Sequence, residues 1–132
     1  QLELGTAATD FEHRSFGEEL ALCRRYFESS YPQGIVPGVA SFITGYVSST
    51  VSSATNAEIG GPYYSVEKRA APTLAIFHAV TGATNTVYRV SDASAETISG
   101  IAQHNVNGGG YLQLSSGATN SYKYHFSADA EL

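Results

Sequence analysis

The hydrophobic pattern changes character once along this chain. From Ser15 to Ser30 the apolar positions recur at helical spacing, with Phe16, Leu20, Cys23 and Phe27 in one stripe and Leu22 and Tyr26 beside it. Ser15 and Glu18 stand three apart, the spacing of a capping box, in which hydroxyl and carboxylate each satisfy a free amide of the first turn. Glu18 and Glu19 suit the positive end of the helix dipole, and Arg24 and Arg25 the negative end. Pro32 and Gly34 are expected to stop the helix. A helix this short is marginal alone in water, so its stripe must lie against its own sheet or against another subunit. Cys23, on that stripe, reads as a small buried hydrophobe rather than a nucleophile.

Beyond Pro37 the pattern is that of strands and turns. Val39 to Val47 is β-rich, with Gly45 as a bulge or bend, and Ser48 to Ala54 reads equally as strand or exposed loop. A turn at Gly60-Gly61-Pro62 leads to a short strand from Tyr63 to Val66, and Thr73 to Val80 is the most apolar strand. Thr81 to Asn85 is a hairpin-sized loop into Thr86 to Val90, and Glu96 to Val106 follows, interrupted at Gly100. Asn107-Gly108-Gly109-Gly110 turns the chain into Tyr111 to Ser115. The last strand has the clearest alternation. Tyr122, Tyr124, Phe126 and Ala128 face one way, and Lys123, His125, Ser127 and Asp129 the other, giving one buried and one wet face. The expected fold is all-β, an antiparallel, jelly-roll-like β-sandwich preceded by one short amphipathic α-helix.

Gln1 to Arg14 reads as the end strand of a preceding domain and a linker, 15–30 as the helix, and 31–132 as the C-terminal sandwich. Charges crowd the region before Ser30 and are isolated after it, which marks the boundary. The chain begins at Gln1 and contains no Met, so a longer parent product is expected.

Composition narrows the function. A net charge of −5 with no basic patch argues against nucleic-acid binding. No run approaches the ~20 apolar residues of a membrane span, so membrane insertion is not expected. With one cysteine there is no intrachain disulfide, and His13, His78, His104 and His125 stand singly, without metal-ligand spacing. They read as hydrogen-bonded or surface imidazoles, and no metal or cofactor is expected. Asp92 and Glu96 are near in sequence, but a glycosidase pair requires a particular separation and environment that proximity does not supply. No G-x-S-x-G elbow occurs, and no catalytic residue is assigned. Nine tyrosines without tryptophan suit either sheet packing or sugar contact, the ring offering a flat face and the hydroxyl a hydrogen bond.

Several local strings are more specific. Gln1-Leu2-Glu3 with Gly5, then Ala8-Thr9, Phe11-Glu12 and Arg14, then Glu19 to Cys23 with Arg25-Tyr26, resemble a junction in structural proteins of tailed bacteriophages. There a jelly-roll, carbohydrate-binding-like domain ends in a QLE-x-G strand, passes an AT-x-FE-x-R linker and enters an ELALC-x-RY helix. Arg69-Ala70-Ala71-Pro72-Thr73 and the closing Tyr124 to Leu132 are similar to that family's terminal domain. The resemblance implies a non-enzymatic virion protein, the C-terminal module of a tail fibre or related host-recognition appendage. It implies a homotrimer with Phe16, Leu20, Cys23 and Phe27 at the subunit interface, other virion proteins as partners, and contact with a bacterial surface glycan. The rival expectation is a capsid decoration or tail-assembly module that clamps neighbouring virion proteins.

Overall fold

A computed structural model describes residues 14–40, 45–51, 57–116 and 119–131. The expected preceding strand and linker at residues 1–13, with His13, lie outside the described residues, as do 41–44 of the expected Val39 to Val47 strand. One helix, α1 (Phe16–Arg24), precedes β1 (Phe27–Ser29), β2 (Val47–Val51), β3 (Glu58–Gly60), β4 (Thr73–His78), β5 (Thr86–Arg89), β6 (Ser94–Ala102), β7 (Tyr111–Leu114) and β8 (Asn120–Asp129). Among the described residues the protein is all-β with a single short helix. Its described strands form a curled antiparallel sheet.

The long strand β8 is the spine. One edge holds β1 at residues 127–129 and β2 at 120–124, and the other holds β4 at 124–129 and β5 at 122–123. β6 then carries the sheet around a corner. Its first half pairs with β5 and its second with β7, and the register shifts between Ile98 and Gly100, the interruption expected at Gly100. β7 pairs with β3, and β3 returns towards β2, where the Gly60 amide donates to Ser49 Oγ at 3.0 Å. The sheet thereby curls almost back onto itself.

Period-2 alternation in β8 sends Tyr122, Tyr124, Phe126 and Ala128 into the enclosed core with Val51, Ile59, Ile76, Val87, Leu112 and Leu114. Tyr124, fully buried, spans this interior and donates its hydroxyl to the Gly60 carbonyl at 2.6 Å, joining the spine to β3. Burial pushes its phenol well above the ordinary range, with nearby Tyr64 adding to the shift. The opposite face of β8 is not uniformly wet. His125 is fully buried, because the chain after β1 folds over it: Tyr31 stacks on the imidazole at 4.3 Å and Ser30 Oγ lies 2.9 Å from Nδ1. Tyr31 also meets Phe77 of β4 edge-on at 6.0 Å.

Two further expectations change. The helix ends at Arg24 rather than Ser30, and Phe27–Ser29 instead completes the sheet against Ser127 to Asp129, moving the start of the β-domain to Phe27. Tyr63 to Val66 is not a strand; Tyr63 makes an isolated bridge to Gly108, and the strand of this region is the earlier β3. The Ser48 to Ala54 run resolves as strand through Val51, with 52–56 outside the described residues.

Candidate functional site: an exposed helix held by a buried clasp

At its N-terminus the helix is built as its sequence expects. Ser15 Oγ accepts from the Glu18 amide at 3.3 Å, and Glu18 Oε2 accepts from the Ser15 amide at 2.9 Å. The Ser15 amide and hydroxyl hold the Glu18 carboxyl below its usual range, with Arg14 adding a smaller effect against slight desolvation.

The C-terminus is set by distant residues. Helical phase continues through Phe27, yet the last carbonyls are taken elsewhere. Lys68 Nζ donates to the Arg24 carbonyl at 2.6 Å, the Arg69 amide to Arg25 at 2.9 Å, and the Ala130 amide to Tyr26 at 2.7 Å. Two orphan acceptors of the helix end, Arg24 and the capping Arg25, and the carbonyl of Tyr26 just beyond them are thus satisfied by the β-domain, and the chain leaves as strand β1. Lys68, only 2% exposed, also donates to Glu28 Oε2, and its ammonium lies 4.8 Å from the centroid of the Tyr64 ring. Glu28 accepts the Ser65 amide as well, at 3.0 and 3.2 Å. The buried cation thus has a carboxylate, a carbonyl and an aromatic face around it, which is what makes its burial tolerable. Burial and the Glu28 charge push the Tyr64 phenol up to about 12.

Beyond this clasp the helix stands clear of the sheet. None of its residues is buried. Phe16 is 73% exposed, Phe27 45%, Cys23 is exposed, and only Leu20 of the expected stripe is half-covered. The expected burial of Cys23 is therefore not what the folded chain does, because no sheet face reaches it. A groove of about 340 Å³ runs beside Leu20, Cys23 and Phe27, with Tyr31, Pro32 and Ile35 on its far wall. Val36 and Val39, further along the same segment, are exposed as well. A second cleft, of about 590 Å³, lies on the other side of the helix between Leu22 and Val66. Three of the four stripe residues, Leu20, Cys23 and Phe27, thus line one open groove, while Phe16 is exposed at the start of the helix. Single exposed hydrophobes are ordinary, but a contiguous group marks a contact surface.

The other residues considered from sequence have structural partners. Asp92 and Glu96 converge on one guanidinium: Arg89 Nε is 3.2 Å from Asp92, and Arg89 Nη2 is 3.7 Å from Glu96. Desolvation acts on the buried Glu96 to raise its pKa, but hydrogen bonds donated by Ser115 and twice by Ser116, together with the nearby Arg89 charge, outweigh it and leave the carboxyl low. Ser94 and Arg89 hold Asp92 low too. Two carboxylates kept anionic around an arginine form a clamp for the β5–β6 turn; neither has the raised pKa of a general acid. His78 Nδ1 accepts the Val80 and Thr81 amides at 3.2 and 3.1 Å, and His104 Nε2 lies 3.1 Å from the Pro72 carbonyl. Among the described residues, no three His, Cys, Asp or Glu side chains gather as a metal site. No described helix is long and apolar enough to cross a membrane.

Sequence reasoning missed Lys68. Nothing in its neighbourhood signals burial, since its partners Arg24 and Glu28 lie some forty positions earlier. Searches against protein families, curated proteins and solved structures found no match to this chain.

Proposed function

We propose that this chain is a non-enzymatic structural module of a bacteriophage virion, the C-terminal part of a tail fibre or similar exterior appendage. The observation that carries the reading is the helix: an apolar stripe left open by a domain whose core is otherwise closed. In a trimer, Phe16, Leu20, Cys23 and Phe27 of three copies cover one another around the threefold axis, burying surface that a solitary chain leaves in water. The clasp at Lys68 fixes where that helix leaves the β-domain, so the three domains are held at a set orientation. The resemblance of the junction strings and the closing strand to tailed-phage structural proteins supports placing the module on a virion. In that setting the β-domain meets the bacterial surface, with surface glycan as the ligand.

The test is competition. Purified chain, added to host cells before phage, is expected to reduce adsorption in a saturable manner. Unchanged adsorption at saturating chain, with the chain found by whole-particle reconstruction between neighbouring capsid subunits, would replace this reading with the decoration one.

A further inference from the structure

Tyrosine is used in two opposite ways in this molecule. Tyr122 and Tyr124 are fully buried, whereas Tyr63 is 81% exposed, more so than even Phe16 on the open helix. An exposed tyrosine on a mobile tip would mean little, but the backbone beneath this one is tightly specified. Tyr63 bridges Gly108; the Gly109 amide donates to the Pro62 carbonyl at 2.7 Å, and the Tyr64 amide to Asn107 at 3.3 Å. Gly108, Gly109 and Gly110 have φ of 86°, 78° and 71°, a left-handed run that only glycine adopts readily. A Cβ at Gly108 would lie 2.3 Å from the Pro62 carbonyl oxygen, and one at Gly110 2.3 Å from that of Ala102. At Gly109 it would sit 3.3 Å from Tyr63 Cε1 and 3.6 Å from its hydroxyl, so the ring rests against the glycine. The missing side chains let the phenol lie close on the loop while most of it faces water.

The two segments that pair here, Gly60 to Tyr64 and Gln103 to Tyr111, carry no Asp, Glu, Lys or Arg. Asn105 and Asn107 are exposed on the same loop, and Asn105 Oδ1 accepts the Asn107 amide at 2.8 Å, orienting its carboxamide. A protein-binding hot spot would place apolar neighbours around the aromatic anchor to exclude water; here the ring rests on Gly109 and stays 81% exposed, above a loop on which Asn105 and Asn107 are exposed too. A pre-set aromatic plate paired through its backbone with an asparagine-bearing loop suits a sugar ring instead, whose C–H face would stack on the phenol while its hydroxyls reach the carboxamides.

We propose that Tyr63, on the Gly108–Gly110 loop with Asn105 and Asn107, is a shallow binding site for a neutral hexose or N-acetylhexosamine unit. This deepens the host-glycan part of the function proposed above and rests on it. A single plate of this kind binds weakly, with Kd on the order of 1 mM, equivalent to about −4 kcal/mol. Repetition in a multimeric appendage raises the effective strength.

Saturation-transfer NMR on the intact chain with chito-, malto- and galacto-oligosaccharides tests it. At least one series is expected to receive saturation, to lose it about tenfold or more in Tyr63→Ala, and to keep most of it in Tyr63→Phe and in Tyr46→Ala, a second exposed tyrosine that lies under Lys123 instead. Binding undiminished in Tyr63→Ala would overturn the site while leaving glycan contact intact. No transfer from the intact chain to any series would overturn it as a neutral-sugar site, and adsorption competition by the same sample would then show whether the appendage reading survives. A change of assembled mass in Tyr63→Ala would make this tyrosine a subunit contact and also overturn the proposal.

Discussion

The β-domain and the helix solve the same problem, covering apolar side chains, in different ways. In the β-domain the answer is internal: β8 is flanked on both edges and the curled sheet closes Ile59, Leu112, Tyr122 and Tyr124 away from water. The helix has equivalent side chains and no interior for them. Its capping box and its dipole-matched charges stabilise the local conformation, and Lys68 secures its end, yet Phe16 and Cys23 on the helix and Phe27 just after it remain on the surface. The difference is that the core encloses its apolar side chains without Phe16, Leu20 or Cys23, which leaves those three for the assembly proposed above.

That contrast can be broken by pairing substitutions across it. Leu112→Ala should cost about 2–5 kcal/mol in chemical denaturation, because it opens a cavity in a fully buried site. Phe16→Ser, a truncation at least as large, should change the stability of the dissociated chain by no more than about 0.5 kcal/mol while abolishing assembly. Equal losses from the two would mean the helix belongs to the core.

The clasp sits between the two regions. Glu28→Gln leaves a buried ammonium without its carboxylate and should cost about 3–5 kcal/mol. Lys68→Met combined with Glu28→Leu should recover much of that stability but loosen the helix, read as faster amide exchange at residues 16–24. A smaller effect is expected of Tyr124→Phe, about 1 kcal/mol, from the lost hydrogen bond to Gly60.

The smallest and most graded effect is that of pH. Burial holds the His78 imidazole below its usual 6.5. The folded protein therefore binds that proton more weakly than the unfolded chain; its contribution is intact above 6.5 and declines as pH falls through the folded value. Glu96, held below its usual 4.5, acts in the same direction further down, its contribution being present above 4.5 and lost as pH falls through the folded value. Denaturation midpoints should fall in two stages on acidification, and His78→Asn should remove the upper one.

What was legible in the sequence was local. The Ser15–Glu18 spacing, the alternation of Tyr122 to Ala128 and the break at Gly100 each appear where short-range chemistry puts them. What was hidden depends on residues distant along the chain. Phe27 keeps helical phase with Leu20 and Cys23 but becomes a strand because β8 offers it a ladder. His125 alternates as a solvent-facing residue but is roofed by Tyr31, some ninety positions earlier. Lys68 reads as a surface lysine until the helix terminus and Glu28 arrive beside it. For the candidate site, the stripe itself was visible as a pattern; that the domain leaves it uncovered was not, since periodicity shows a face and never what lies opposite.

Light scattering of the native chain beside a Phe16→Ser/Phe27→Ser variant bears most directly on the claim that the helix stripe is a subunit contact. The account predicts three times 14.0 kDa for the native chain and 14.0 kDa for the variant. A native chain that stays at 14.0 kDa at every concentration, indistinguishable from the variant, would contradict it.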